Sequence, residues 1–302
     1  MTEPVRMQHT ITKPVVLEGF GFWSGKDVRV EFQPALPGTG IVFIRTDLPG
    51  QPRIEACAQN RVAKPRQTSL RQDDAQVDMI EHLMASFVGL QIDNCEIYVD
   101  QQEMPGLDGS SRFFTEALLK GGIVAQPAFR PQRVVYKKVR VGDDKHWIEV
   151  SPSYTGKTCF VYHLDYPEGS PIKSQSFRYI STPENFILQL VACRTFLMKQ
   201  EADQLLEAGL CSRVTPKDVL VFDHNGPIDN QLLFQDECAR HKLLDMLGDF
   251  SLGQCDWVGE FVAFRSGHEM NVDCVKTLLD KTVYIESDVV PIHDNLFTHQ
   301  KD

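Results

Sequence analysis

Hydrophobic and polar residues alternate in short runs along the first part of the chain. Residues 28–32, Val-Arg-Val-Glu-Phe, alternate strictly, while residues 40–45 and 95–99 are rich in β-branched and aromatic residues. Gly, Pro, Asp and Asn bound these runs, which is typical of strands that end in turns. We therefore predict a strand at each of the three segments.

The first predicted helix follows Asp78. Apolar residues recur there at the spacing of one helix face before Gly89. Asp78 is a plausible N-cap, and Glu81 three residues later completes the pattern of a capping box. A second helix is predicted over residues 112–120, stopped by Gly121 and Gly122. The apolar positions of the first helix are Ile80, Leu83, Met84, Phe87 and Val88.

Residues 126–131, Gln-Pro-Ala-Phe-Arg-Pro, interrupt the pattern with two prolines and predict a linker. After it the same kinds of element return. We predict helices over 199–208, ended by Gly209, and over 235–247, ended by Gly248. The other predicted elements are strands at 146–150, 158–164 and 258–265 and a helix at 184–190.

Both halves thus combine strands with helices, which predicts an α+β arrangement repeated twice. A length of 302 residues suits two domains of about 150 residues each. We place them at residues 1–126 and 127–302. His82 and Gly89 are seven residues apart on one predicted helix, and His241 and Gly248 repeat that spacing in the second half, a faint sign of duplication.

Composition excludes several classes of protein. A content of 42% hydrophobic and 24% charged residues is that of an ordinary globular protein. A formal net charge of −10 argues against a nucleic-acid partner, which a basic surface would attract. No window approaches the roughly 18 apolar residues of a membrane span. The polar residues at the N-terminus do not form the apolar core of a signal peptide, and the eight cysteines form no CxxC pair, so we expect a cytoplasmic protein with reduced thiols.

The most specific local pattern is residues 241–245, His-Lys-Leu-Leu-Asp. Residues four apart on a helix share a face, so His241 and Asp245 can converge on one cation, with Asp249 a further turn along. Imidazole and carboxylate are common zinc ligands, and the spacing resembles that of helix-borne zinc proteases. A solvated helix with a His–Asp hydrogen bond has the same pattern. The segment alone leaves both interpretations open.

A second pattern is the pair Glu81 and His82. Adjacent helical residues point about 100° apart, so one side chain can bind a metal while the other faces the water beside it. A buried histidine paired with its neighbouring glutamate is the alternative. His268, in Ser-Gly-His after a predicted strand, is placed where loops present functional side chains, although a lone loop histidine is commonly unremarkable. Catalytic zinc takes three protein ligands, and His82, His241 and Asp245 fill that number.

Several segments together resemble one family, the UDP-3-O-acyl-N-acetylglucosamine deacetylases of bacterial lipid A synthesis. The match is collinear over about residues 8–280. Its N-terminal segments are His9-Thr10-Ile11, the glycine turn 19–25, the strand 40–47, the helix 81–86, and segments 89–94 and 105–110. Its C-terminal segments are Arg194-Thr195-Phe196, residues 240–245, Gly248-Asp249 and Ser266-Gly267-His268.

The resemblance implies two similar β-α-α-β sandwich domains that face each other with zinc between them, held by His82, His241 and Asp245. Iron is possible at the same ligands. The catalytic residues that it implies are Glu81 as the base, His268 as the acid or electrostatic partner, Thr195 as a donor to the oxyanion, Lys242 as a cation that assists there or meets substrate phosphate, and Asp249 as a support for a histidine.

The implied substrate is a UDP-linked acylated amino sugar, and the chain is expected to act as a monomer. Phe196 would pack on the sugar, and Arg194 belongs to the same matched segment. An insert near residues 198–221 would bind the acyl chain, with Leu205, Leu206, Leu210, Val214 and Leu220 as candidate lining residues; simple packing of that helix is the alternative.

This chain departs from the family pattern at two places. Trp23 stands in the glycine turn where the family usually has histidine, and residues 211–218 replace a more typical loop. A zinc amidase for another N-acetylated amino sugar therefore stays open as an alternative. A binding homologue without activity is a further alternative, although every expected catalytic residue is present.

Overall fold

The computed structural model describes residues 5–285. Within that range the chain forms a mixed α+β fold, as predicted. The helices are α1 (Glu81–Gly89), α2 (Arg112–Gly121), α3 (Pro183–Gln189), α4 (Lys199–Glu207), α5 (Glu237–Phe250) and α6 (His268–Lys281). The strands of the first half are β1 (Met7–Ile11), β2 (Val15–Phe20), β3 (Asp27–Pro34), β4 (Ile41–Arg45), β5 (Arg53–Glu55), β6 (Arg61–Val62), β7 (Ser69–Gln72), β8 (Ala75–Asp78) and β9 (Cys95–Val99).

The remaining strands follow α2. They are β10 (Ile123–Phe129), β11 (Gln132–Val134), β12 (Val139–Gly142), β13 (Trp147–Ser151), β14 (Cys159–Leu164), β15 (Gln175–Ile180), β16 (Phe196–Met198), β17 (Leu220–Asp223), β18 (Gly226–Pro227), β19 (Asp256–Val258), β20 (Glu260–Phe264) and β21 (Val283–Ile285).

Two five-stranded sheets repeat one pairing pattern. The first has the order β2-β3-β9-β4-β5 and the second the order β12-β13-β20-β14-β15. In each sheet only the third and fourth strands are parallel, β9 with β4 and β20 with β14. In each half a helix, α1 or α5, precedes the middle strand, and another, α2 or α6, follows it. The repeated seven-residue spacing, His82 to Gly89 and His241 to Gly248, therefore falls on helices that precede the middle strands of the two sheets.

Helices α1 and α5 pack directly against each other. Gly248 makes this approach possible, because a Cβ atom at that position would lie 2.1 Å from the carbonyl oxygen of Glu81. Leu83 and Leu244, both fully buried, belong to one hydrophobic cluster that runs through both halves of the chain. Burial of this shared apolar surface holds α1 and α5 together.

Several local predictions were wrong, and the main errors have physical reasons. Helix α5 continues through Gly248 to Phe250, because the glycine serves helix packing there and not termination. Asp78 does not cap α1, since its carboxylate accepts hydrogen bonds from Lys64 and from the Gln76 and Gln102 amides. The N-cap residue is Ile80.

The predicted interruption of regular structure at residues 126–131 is also wrong, because β10 runs through residues 126–129 and pairs with β1. Pro127 is exposed in this two-stranded sheet, where a proline does not interrupt a central ladder. Helix α6 was not predicted, and His268 is its first residue instead of a loop residue. Within residues 5–285, none of the helices combines the length and apolarity needed to cross a membrane.

Candidate metal centre and active site

A cavity of about 1310 Å³ lies at the junction of α1 and α5. The first turn of α1 supplies Glu81 and His82 to its wall, and α5 supplies His241, Lys242 and Asp245. Helix α4 and the segment 211–221 line a second part of the cavity, which is largely apolar. Polar groups concentrated at one place in an apolar cavity are typical of a binding or catalytic site.

His82, His241 and Asp245 meet at one point, although they come from opposite halves of the chain. Their potential ligand atoms all lie within 4.8 Å of one another, and all three residues are buried. The Nε2 atoms of His82 and His241 each lie 3.4 Å from Oδ1 of Asp245. This spacing suits three protein ligands around a single cation.

Two details indicate that a cation fits among these residues. The Oδ1 atom of Asp245 is buried and accepts no hydrogen bond from the described residues, a costly state for a carboxylate oxygen unless another group neutralises it. Nδ1 of His241 lies 3.1 Å from the Cys193 carbonyl oxygen, so Nδ1–H donates there and Nε2 keeps its lone pair for a metal. The donor set therefore fits a divalent cation.

The ionisation states of the α5 residues also suit metal binding. Burial lowers the pKa of His241 to about 3, so its imidazole is neutral at neutral pH. Burial opposes ionisation of Asp245, but His241 and Lys242 hold the pKa of its carboxyl well below the usual range. The Lys242 ammonium donates to Oδ2 of Asp245 at 2.7 Å, and this leaves Oδ1 facing the imidazoles.

Glu81 lies beside the three candidate ligands with only 3% of its surface exposed. Its Oε2 atom accepts a hydrogen bond of 2.9 Å from the backbone N–H of Thr68. Burial raises the pKa of the Glu81 carboxyl, although the nearby His268 and His82 oppose this shift. A carboxylate made more basic in this way is better able to take a proton from water.

His268 is paired with Asp249. Its Nδ1 atom lies 3.0 Å from Oδ2 of Asp249, which also accepts a hydrogen bond of 2.8 Å from the Asn271 amide. Burial opposes protonation of His268, but the Asp249 carboxylate outweighs it and raises the pKa of the imidazole to about 9. His268 is therefore a cation at neutral pH and can donate a proton or stabilise negative charge.

The hydroxyl of Thr195 points toward the same place. Its Oγ1 atom lies 3.5 Å from Nε2 of His82 and 3.3 Å from Nε2 of His241, and it donates to the Gly109 carbonyl at 3.0 Å. Gly109 has a positive φ of 71°, and a Cβ atom there would come within 3.2 Å of the Thr195 Cβ. The absence of a side chain at Gly109 thus allows Thr195 to approach the candidate metal ligands.

Comparison with known proteins shows the family. A family model described as "LpxC: UDP-3-O-acyl N-acetylglycosamine deacetylase" matches residues 8–280. A UDP-3-O-acyl-N-acetylglucosamine deacetylase of Geobacter sp. (strain M21) is 36% identical over 275 residues, which cover 91% of this chain and 89% of the relative. One of Brucella melitensis biotype 2 is 36% identical over 280 residues, covering 92% of this chain and 97% of the relative. The chain belongs to this deacetylase family.

Membership of the deacetylase family confirms the resemblance read from the sequence, and with it the expectation of an amide hydrolase. The roles of individual site residues stay predictions. The geometry does bring together most of the residues singled out for the deacetylase. Glu81, Thr195, Lys242 and His268 line the cavity with the three candidate ligands, and Asp249 supports His268 from behind.

Two of the residues predicted to bind substrate lie elsewhere in this deacetylase. Arg194 does not appear among the described residues that line the cavity, because Glu237 and Asn230 hold its guanidinium. Leu210, which follows α4, is also absent from that lining and is 37% exposed. Phe196 and Leu205 do line the cavity, and the Phe196 ring packs edge-on against the His241 ring with centroids 6.0 Å apart.

Of the other apolar candidates in the insert, Leu206 and Val214 line the cavity, whereas Leu220 is fully buried in the main core. Leu220 points away because β17 alternates its side chains, so the cavity receives Val219 and Val221 instead.

The sequence reasoning missed most of the apolar wall of the cavity. Phe22 and Met79 lie in a separate apolar cluster with Val219 and Val221, and Trp23 packs against it. Met79 has a φ of +59°, an uncommon conformation that is often found at functional sites. In the sequence, Phe22 and Trp23 belong to the glycine turn at residues 19–25, and Met79 lies two residues before Glu81. These positions were the only available signal, because the hydrophobic pattern of these segments does not indicate that they line a cavity.

Proposed function

We propose that this chain hydrolyses the N-acetyl group of a UDP-3-O-acyl-N-acetylglucosamine in lipid A biosynthesis, with Zn²⁺ held by His82, His241 and Asp245. The convergence of these three buried side chains around the unpartnered Oδ1 atom of Asp245 carries the proposal. The names of the relatives supply the substrate, because both are UDP-3-O-acyl-N-acetylglucosamine deacetylases.

The proposed mechanism divides the proton transfers between two residues. A divalent cation held by His82, His241 and Asp245 would make a water molecule more acidic and would stabilise negative charge on the amide oxygen. Glu81 takes the proton of the attacking water, because its buried carboxylate faces the same point and has a raised pKa. Protonated His268 then donates a proton to the departing amine, and Asp249 stabilises the imidazolium before that step.

Thr195 and Lys242 complete the proposed site. Rotation of the Thr195 hydroxyl away from the Gly109 carbonyl would direct its proton to the developing oxyanion. Lys242 keeps Asp245 oriented through its hydrogen bond and adds positive charge to the cavity. An oxyanion donor of this kind contributes about 10²–10³-fold to turnover.

We further propose that residues 1–126 and 127–302 are two domains and that the insert near 198–221 binds the acyl chain. The repeated order of strands in the two five-stranded sheets supports the domain division. The apolar cluster that includes Phe22, Val219 and Val221 supports the acyl site. We also propose a monomer, because the candidate metal ligands all come from one chain and the site needs no second copy, and a cytoplasmic location, because the substrate is made from a nucleotide sugar.

The test combines metal content with product release. Purified protein should carry one equivalent of zinc or iron and release acetate from 3-O-acylated UDP-N-acetylglucosamine, and chelation should abolish turnover. UDP-N-acetylglucosamine without the acyl chain is the control substrate. Equal turnover of both would favour an amidase for another amino sugar, an alternative suggested by Trp23 in the cavity wall. Loss of all turnover in metal-replete protein would contradict the proposal.

A further inference from the structure

Thr68 contacts two carboxylates of the proposed site, that of Glu81 and that of Asp249, the partner of His268. It precedes β7 and is 1% exposed. Its backbone N–H donates to Oε2 of Glu81 at 2.9 Å, and its hydroxyl donates to Oδ1 of Asp249. Its carbonyl oxygen accepts the Ile80 N–H at 3.2 Å, so the residue is also fixed to the start of α1.

The hydroxyl of Thr68 continues a chain of hydrogen bonds to His268. Asp249 is fully buried and uses its other oxygen, Oδ2, for the His268 imidazole and the Asn271 amide. Thr68 therefore supplies the donor on the side of Asp249 that faces away from His268. A buried carboxylate that loses such a donor has an unsatisfied oxygen, and it tends to rotate or to shift toward another partner.

We propose that Thr68 is a positioning residue for both proton-transfer steps. Its backbone orients Glu81, and its hydroxyl orients Asp249 and, through Asp249, the His268 imidazole. This inference rests on the roles proposed for Glu81 and His268. Thr68 itself does not line the cavity among the described residues, so it acts through its two partners and not on the substrate.

Two variants of Thr68 distinguish the effect of its hydroxyl group from the effects of its shape and its backbone. Thr68→Val keeps the shape and the backbone N–H but removes the hydroxyl, whereas Thr68→Ser keeps the hydroxyl. Thr10→Val is the matched control, because Thr10 is also buried and its hydroxyl donates to the Asn94 carbonyl in another part of the molecule. All variants are prepared in the metal-loaded form, and their metal content and thermal stability are measured first.

The kinetic measurement compares kcat and KM for acetate release. Thr68→Val should lower kcat by about 10–100-fold, the usual effect of removing a partner that orients a catalytic group, with KM and metal content unchanged. Thr68→Ser should restore most of kcat, and Thr10→Val should leave it unchanged. In the Asp249→Asn background, Thr68→Val should cause little further loss because the two residues act as a unit. An unchanged kcat in Thr68→Val, or full additivity with Asp249→Asn, would overturn the inference.

A second measurement does not depend on the reaction. The Nδ1–H proton of His268, bonded to a carboxylate, should give a downfield NMR signal, assigned by its absence in His268→Ala. Its chemical shift should change in Thr68→Val and stay constant in Thr68→Ser and Thr10→Val. A signal that does not respond to Thr68→Val would show that the hydroxyl does not orient the pair, whether or not the protein hydrolyses the proposed substrate.

Discussion

Gly248 is the position where a single added methyl group should distort the candidate metal centre, although Gly248 itself is not one of the candidate ligands. In Gly248→Ala the new Cβ would lie 2.1 Å from the Glu81 carbonyl oxygen and 2.9 Å from its carbonyl carbon. Real Cβ atoms almost never come within 3.0 Å of another heavy atom, so the helices must separate by about 0.9 Å or more, the difference between 3.0 and 2.1 Å. Backbone atoms cannot swing aside as the end of a flexible side chain can.

The displacement matters because it occurs next to His82, one of the three proposed metal ligands. His82 follows Glu81 directly on α1, whereas His241 and Asp245 lie on α5. Metal–ligand distances in a well-formed site hold to about ±0.2 Å, so a shift near 0.9 Å is several times the tolerance. We expect zinc affinity to fall by about 10–100-fold or more, since even changes in groups behind the ligands have effects of that size.

The effect on folding should be smaller than the effect on metal binding. Overpacking costs about 1–3 kcal/mol, and alanine recovers up to about 1 kcal/mol of helix propensity over glycine. Thermal unfolding of the metal-free protein and competition for zinc against a chelating dye measure the two effects separately. Gly121→Ala is the control, because a Cβ atom there meets only side-chain atoms of Val15 and Ile11, at 3.0 Å or more. Wild-type zinc affinity in Gly248→Ala would refute the reasoning.

Three further predictions concern chemistry within the cavity. Because Asp249 raises the pKa of His268 to about 9, turnover should decline above about pH 9. Asp249→Asn should move this decline to lower pH, because burial alone disfavours the imidazolium. A pH profile of turnover that the substitution leaves unchanged would contradict the pairing. Glu81→Ala should lower kcat by about 10²–10⁴-fold, the usual contribution of a general base, while bound metal measured by elemental analysis stays at one equivalent; a near wild-type rate would remove Glu81 from the mechanism. Trp23→Ala should enlarge the apolar part of the cavity and shift the substrate preference toward longer acyl chains. The measurement is kcat/KM over a series of acyl-chain lengths. An unchanged preference would show that Trp23 does not limit the length of the acyl chain.

The hydrophobic pattern predicted the main strands and helices well, because their periods reflect which face is buried. It assigned β9 its observed limits, Cys95–Val99, and it located α4 within one residue at each end. It misread Gly248, because a glycine that ends a helix and one that admits a neighbouring helix look the same in sequence. It misread β10, because the tolerance of a strand for Pro127 depends on whether another strand pairs with it.

The site was harder to predict from spacing than from family resemblance. His241 and Asp245 share a helix face, so their partnership follows from helix geometry alone. The approach of His82 and the pairing of His268 with Asp249 depend on tertiary packing, which local spacing does not encode. Arg194 was expected to bind substrate because its segment resembles the family, yet its side chain forms an ion pair with Glu237 and does not line the cavity.

Helix α4 borders the cavity, yet its own residues, all within the described part of the chain, include none that is buried. A helix with so little apolar contact has low local stability and exchanges its amide hydrogens readily. An occupant of the adjacent cavity would cover Leu205 and Leu206 and supply the missing contact. The hydrogen-exchange rate of the α4 amides should therefore report whether a bound acyl chain contacts this helix, without a measurement of turnover.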